Sequence, residues 1–315
     1  MRKLFNVKTL VLLLAVVLLG ACGKGDAGKS EGKMTVGYAI NNLNDTFQTY
    51  ILEAAKDKAK ENDMSIRVEN AKEDLIAQQD QVNTLIQNGV DALIVVPVDT
   101  SAMDPITKAA QNADIPLIYV NRNPYAGKED KMPKNVYYVG SEEITAGIMQ
   151  MEFIGEKLGG KGNIAILMGI LGNEGAMKRT EGVEQVIKEK YPEMKVLNKE
   201  TAEWQRDKAI AVTENWISTY GKDINAVIAN NDEMALGALQ AAKKNNRSDM
   251  LIIGTDAIPD AIEAVEKGEL AGTVFQDAKG QGGGAIDVLV NKDKAESVTY
   301  VPFQLITKDN VSEFK

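Results

Sequence analysis

The chain has 315 residues, 44% of them hydrophobic and 26% charged, with 36 lysines and arginines against 45 aspartates and glutamates for a net charge of −9. That balance suits a globular chain with a substantial core, and its acidity argues against nucleic acid or an anionic membrane surface as partner. With no histidine and a single cysteine, Cys22, Ser-His and Cys-His nucleophilic pairs and histidine-bound metals are excluded. The expectation is a binder, not an enzyme, with no cofactor and no metal.

The chain opens with Arg2, Lys3 and Lys8, then an unbroken apolar run from Leu10 to Leu19, then Gly20, Ala21 and Cys22. A charged start, a short apolar core and a small-residue exit make a signal peptide over 1–21. The run is too short to span a bilayer, which needs about 20 residues. Leu19-Gly20-Ala21-Cys22 resembles a bacterial lipobox. That resemblance implies cleavage before Cys22, lipidation of its thiol, and an exported protein anchored to the outer face of the cytoplasmic membrane, in a periplasm or at the cell surface. Residues 22–33, almost wholly glycine and charge, read as a flexible tether. Gly23, Gly28, Lys29 and Ser30 also match phosphate-loop spacing, but no strand precedes them and a strand follows, so the match is read as chance.

Strands are expected at Thr35–Ile40, Asp91–Val96, Pro116–Val120, Tyr137–Ser141, Asn163–Met168, Asn225–Ala229, Leu251–Gly254 and Ala271–Phe275. Runs such as Ala92-Leu93-Ile94-Val95-Val96 are apolar on both faces, as parallel strands covered by helices require. Amphipathic segments lie between them; over Asp74–Asn88, Leu75, Val82 and Ile86 share a face and Asn88-Gly89 supplies a stop. The alternation argues for an α/β chain of two doubly wound parallel-sheet domains, with Tyr137–Ser141 leading across between them.

Ligands of open α/β sheets sit beyond the carboxyl ends of the strands. The residues placed there are Asn44-Asp45-Thr46-Phe47, Asn121-Arg122, the loop Gly169–Arg179, Trp204, Asn231-Asp232, Asp256 and Gln276. Carboxylates, amides and guanidinium groups satisfy hydroxyls that both donate and accept, while Phe47 and Trp204 offer flat faces for C–H groups. The set suits a neutral polyhydroxyl ligand; two arginines against three acids do not favour a phosphorylated one. Local roles compete: Asp45 and Asn231-Asp232 as helix caps, Phe47 and Trp204 as ordinary packing, Asp256 before Pro259 as a turn. The glycines of Gly280–Ala285 read as packing at a helix start.

Three stretches carry a wider likeness: Val227-Ile228-Ala229-Asn230-Asn231-Asp232-Glu233-Met234-Ala235-Leu236-Gly237-Ala238, Gly254-Thr255-Asp256-Ala257-Ile258-Pro259, and Leu270-Ala271-Gly272-Thr273-Val274. With Val301-Pro302 and Lys308-Asp309-Asn310, they make the chain from Val36 to Phe314 resemble the periplasmic sugar-binding proteins of ABC importers, in their ribose and galactose/glucose branches. The resemblance implies sugar contacts at Asp45, Phe47, Asn121, Arg122, Arg179, Trp204, Asn231, Asp256 and Gln276, with Phe47 and Trp204 stacking on the ring; Asn173 and Glu174 extend the set. It also implies a first lobe of 34–140 plus 277–301, a second of 141–276 plus 302–315, and closure about a three-segment hinge near Gly140-Ser141, Gln276-Asp277 and Val301-Pro302.

Asn173-Glu174-Gly175 stands where the galactose/glucose branch has a histidine and an aspartate. Gly169-Ile170-Leu171-Gly172 and Gln276 look more like the ribose branch. Lys157–Asn163 has no carboxylate where the galactose/glucose branch binds calcium, so no calcium is expected. The implied partners are a monosaccharide, an ABC permease, and the membrane through the lipid, with the protein itself a monomer. A receptor feeding a chemotaxis or sensor-kinase system would share this pocket. A sugar-responsive regulator would need a basic DNA-binding headpiece, and a signal segment occupies that place.

Overall fold

The computed structural model describes residues 33–314. The signal segment, Cys22 and the tether apart from Lys33 lie outside the described residues.

Among the described residues, twelve strands form two six-stranded sheets. The first holds β1 (Thr35–Ile40), β2 (Ser65–Asn70), β3 (Ala92–Val95), β4 (Leu117–Val120), β5 (Val136–Gly140) and β11 (Val298–Tyr300), in the order β11-β5-β4-β3-β1-β2. All its pairings are parallel. The second holds β6 (Lys161–Met168), β7 (Glu193–Thr201), β8 (Ala226–Ala229), β9 (Leu251–Asp256), β10 (Gly272–Phe275) and β12 (Gln304–Thr307), in the order β12-β10-β9-β8-β6-β7. Only β12 runs antiparallel, against β10.

The central strands β1, β3, β4, β8 and β9 are almost wholly buried, as their apolar runs require. The sequence reading missed β2, β7, β11 and β12. All four close the edges of their sheets, carry polar residues and are half-exposed, so none shows the run that marks a strand covered on both faces. The seventh expected strand also continues two residues further, to Asp256, which sets that carboxylate at the very end of β9.

Helices fix the strand ends. In α1 (Thr46–Glu61), Asp45 Oδ1 caps the first turn, accepting from the Phe47 and Gln48 N–H groups at 3.1 and 3.2 Å. In α2 (Leu75–Gln87) the buried face is Gln78, Val82 and Leu85 rather than Leu75, Val82 and Ile86. Gln78 is buried because its amide serves sheet ends: Nε2 donates to the carbonyls of Ala39 and Val96, and Oε1 accepts from Val98 N–H. In α4 (Glu143–Lys157) Gln150 does the same for the second sheet, donating to Ala229 and Gly254 carbonyls. Such donors tie the carbonyls at the carboxyl ends of neighbouring parallel strands together. The glycine run of 280–285 lies in α9 (Ala278–Val290), which packs on α1. A Cβ on Gly282 would lie 2.2 Å from the Ile51 carbonyl oxygen, so glycine permits the close approach.

The chain passes between the sheets three times: after β5 into α4, after β10 into α9, and from β11 to β12. Two of these passages are joined by Val301 N–H donating to the Gly140 carbonyl at 2.6 Å.

Candidate functional site

The carboxyl ends of both sheets face one cleft. The first sheet contributes Asp45, Phe47 and Gln48 from the start of α1, and Asn121 and Arg122 from the turn after β4. The second contributes Glu143 at the first turn of α4, and Asn173 and Arg179 from the cap and second turn of α5 (Glu174–Lys190). Trp204 follows β7, Asn231 caps α7 (Asp232–Lys244), Asp256 ends β9 and Gln276 follows β10.

Arg179 organises the second half. Its Nε donates to Glu143 Oε2 at 2.6 Å, Nη1 to the Asn230 carbonyl at 2.6 Å and Nη2 to Gln276 Oε1 at 3.3 Å, while Asp256 Oδ1 lies 3.8 Å from Nη1. The guanidinium also lies 5.9 Å from the Trp204 ring and 5.8 Å from Phe303, within cation–π range. In the first half Arg122 Nη1 donates to the Pro97 carbonyl at 2.9 Å, with Glu73 and Asp45 at 3.7 and 4.0 Å. A buried amide chain runs from the cleft towards the passages between sheets. Gln48 donates to Asn121 Oδ1 at 2.6 Å, Asn121 to Gln281 Oε1 at 3.1 Å, and Gln281 to Ser141 Oγ at 3.1 Å.

Trp204 is placed by backbone and by an absence of side chain. It and Glu203 take positive φ angles of 67° and 52°, and a Cβ on Gly169 would fall 2.0 Å from the indole. Gly169 therefore makes the space the ring occupies. Phe47 lines the same cleft from the other sheet but is buried in the core of its own lobe. Among the described residues, Gln48 Oε1, Asn173 Nδ2 and Trp204 Nε1 are buried cleft atoms with no protein partner, so both acceptor and donor capacity face the space.

Burial raises the Asp45 carboxyl above its usual range, against the pull of Arg122. It raises Asp256 much further, Arg179 opposing and Asp232, Asp45 and Glu143 adding repulsion. Asp232 lies beneath the cleft, bound by Thr273 Oγ1 and Ile258 N–H, and burial pushes it to about 7.

Of the residues expected from sequence, Asp45, Phe47, Asn121, Arg122, Asn173, Arg179, Trp204, Asn231, Asp256 and Gln276 line this one cleft. Asp45 and Asn231 serve as helix caps as well; Asn231 Oδ1 accepts from Met234 N–H and Nδ2 donates to the Trp204 carbonyl. Glu174 departs from expectation. Sitting one residue past the cap, it turns away into an adjoining pocket with Asn123, Ser141, Glu142 and Tyr300. There burial, then Glu143, pushes its carboxyl to about 8, while an Asn123 N–H donates to it. Two cleft residues escaped the sequence reading, Gln48 and Glu143. Gln48 follows Phe47 on the capped turn, so helix geometry could have found it; Glu143 follows an expected strand whose end was read only as a crossing.

A family model described as a periplasmic binding protein domain matches residues 36–296. The chain belongs to that family. A protein of Rhizobium meliloti, whose name marks it provisionally as rhizopine-binding, is 41% identical over 89% of this chain and 92% of its own. A xylitol-binding protein of Mycolicibacterium smegmatis is 38% identical over 93% and 82%. An ABC transporter solute-binding protein from Bacillus halodurans, solved with bound myo-inositol, superposes with a TM-score of 0.82 at 38% identity, covering 90% of this chain and 97% of its own. This periplasmic binding protein therefore has the type I fold of its family, two α/β domains with largely parallel sheets.

Proposed function

We propose that this chain is the exported receptor of an ABC importer, taking a small polyhydroxylated ligand between its two lobes. One observation carries the reading. Guanidinium, carboxylate, amide and indole groups from the strand ends of both sheets converge on one cleft. Such groups match hydroxyls in both their roles, and the Trp204 ring offers a face for the carbon skeleton. Groups left unpaired by a wrong hydroxyl pattern penalise the wrong ligand.

The expected hexose or ribose-type sugar narrows towards a small polyol, cyclic or open-chain. The similar proteins are named for rhizopine and xylitol, and the similar structure holds myo-inositol. Nothing at the site points specifically to galactose or glucose. Asp45, Phe47, Gln48, Asn121 and Arg122 would hold the ligand from the first lobe, and Glu143, Asn173, Arg179, Trp204, Asn231, Asp256 and Gln276 from the second. The lobes, 34–140 with 277–301 and 141–276 with 302–315, would close about the three passages, stabilised by ligand that touches both. Lipid on Cys22 would keep the monomeric receptor close to its permease.

Calorimetric titration of the protein beginning at Cys22 against myo-inositol, xylitol, ribose, glucose and galactose tests this. Binding of at least one of the first three is expected, and both Trp204→Ala and Asp45→Ala should weaken it at least tenfold. Binding of none of the five, or unaltered binding in both variants, would sink the reading. The anchor is tested separately: Cys22→Ser should abolish metabolic fatty-acid labelling and release the protein from membranes.

A further inference from the structure

Resting on that reading, we infer that Gln281, which lies outside the cleft lining, is a positioning residue for ligand capture: it ties the Asn121 amide to the hinge at Ser141. Gln281 is wholly buried on α9, 160 and 140 positions along the chain from its two partners. Its Oε1 accepts from Asn121 Nδ2 at 3.1 Å, and its Nε2 donates to Ser141 Oγ at 3.1 Å. Asn121 lines the cleft, whereas Ser141 stands at the passage that follows β5. On the lobe division proposed above, the bond to Ser141 crosses from the first lobe to the second. One buried amide therefore meets both the cleft and the bend.

The three passages gather around this residue. Gln281 N–H donates to the Asp277 carbonyl at 3.0 Å, which sets the side chain one helical turn beyond the second passage. The third passage is bonded to the first through Val301 N–H and the Gly140 carbonyl. A Cβ on Gly280 would fall 3.0 Å from Val301 Cγ1, and one on Gly284 3.0 Å from Val139 Cγ1. The glycines around Gln281 thus seat the start of α9 against β5 and the third passage. Asn121 is held to the same point by its backbone. Tyr138 Oη donates to the Asn121 carbonyl at 2.9 Å and to the Ser141 carbonyl at 3.3 Å. It reaches them past Gly140, where a Cβ would fall 2.0 Å from that hydroxyl. Asn121 itself takes a φ of 67°, a left-handed conformation that the surrounding contacts must impose.

Replacing a satisfied buried amide by an apolar side chain strands its partners, here Asn121 Nδ2 and Ser141 Oγ. Held by Gln48 alone, the Asn121 amide loses its fixed orientation and must be ordered again when ligand arrives. The coupling is reciprocal: what the tie gives to ligand affinity, bound ligand returns to the closed hinge. Gln281 is no part of the cleft lining, so its effect on affinity runs through Asn121.

The test is a double-mutant cycle on affinity for whichever of myo-inositol, xylitol and ribose binds the parent most tightly. Gln281→Leu removes both bonds, and Asn121→Gly removes the cleft amide where glycine suits the backbone. Gln281→Leu should weaken binding about tenfold, yet add no more than about twofold on top of Asn121→Gly. Trp204 shares no hydrogen-bond partner with Gln281, so the Gln281→Leu loss should multiply in full with that of Trp204→Ala. Ser141→Ala cuts only the hinge end of the tie and disturbs the fold less. It should cost about threefold, a loss that again vanishes in Asn121→Gly. If Gln281→Leu does not fold, the Ser141→Ala cycle decides alone. Undiminished affinity in the folded variants, or losses that multiply with that of Asn121→Gly, overturn the inference and leave the proposed function standing. A parent that binds none of the three compounds overturns both.

Discussion

The two arginines of the cleft are held very differently. Arg179 is gripped by partners from six places along the chain, with hydrogen bonds to Glu143, Asn230 and Gln276, a second carboxylate at Asp256, and aromatic rings at Trp204 and Phe303. Arg122 has one hydrogen bond, to the Pro97 carbonyl, and two carboxylates at 3.7 and 4.0 Å. The second lobe thus presents a preorganised guanidinium, while the first keeps one whose ion pairs are loose and whose partner Glu73 is partly exposed. A group fixed in advance loses little freedom when ligand arrives; a loosely held one adapts at some entropic cost. The second lobe therefore reads as the template and the first as the half that adjusts on closure.

The harshest way to break this asymmetry is to remove each arginine in turn. Arg179→Met leaves Glu143 and Asp256 as buried, uncompensated acids, a loss of about 3–5 kcal/mol. Thermal unfolding should drop by about 10 °C, with ligand binding lost. Arg122→Met should cost only about 1–2 kcal/mol of stability while weakening binding at least tenfold. Equal melting shifts for the two variants would refute the template reading. Next in size is Gly169→Ala, whose Cβ falls 2.0 Å from the indole and must displace it. Affinity should fall about tenfold with little change in melting, because the displaced ring lies at the rim of the core rather than inside it.

The same contrast explains what the sequence disclosed. Strands buried on both faces, such as Ala92–Val95 and Ala226–Ala229, announce themselves by composition. Edge strands such as Ser65–Asn70 and Glu193–Thr201 do not, because half their residues meet solvent. Most of the cleft was legible because strand ends place residues there whatever the details of packing. Glu143 was not, since its role comes from meeting Arg179, 36 positions later, across the contact of α4 with α5. Glu174 was named, yet one helical step turns it from the cleft into the neighbouring pocket. Sequence gives position along an element; direction about a helix axis needs its packing.

Glu174 also offers a smaller test, through pH. Its carboxyl is raised from about 4.5 to about 8 by burial and by Glu143. The native state therefore holds a proton that the unfolded chain releases between those values, and stability declines as pH rises through that window. Glu174→Gln should flatten the decline, melting a few degrees above the parent at pH 8 and level with it at pH 4. Parallel melting curves at every pH would show that the carboxyl is not held protonated.

The mildest test concerns the lip where the lobes meet. Thr46 Oγ1, on the first turn of α1, donates to Glu233 Oε1 of the second lobe at 3.1 Å. Glu233 is steadied from behind by Arg206 Nε at 2.7 Å, which in turn holds Asp260 at 3.1 Å. Only the Thr46 end crosses between lobes, so here too the second lobe supplies the fixed partner. Because this bond exists only while the lobes touch, removing it destabilises the closed form and leaves each lobe intact. A part-buried hydrogen bond to a carboxylate contributes about 1 kcal/mol, so Thr46→Val should weaken ligand about fivefold. The loss should lie in a faster dissociation rate, with association and melting unchanged. A slower association rate instead would mean that Thr46 guides the ligand in rather than holding the lips together, and that the first lobe does more than adjust.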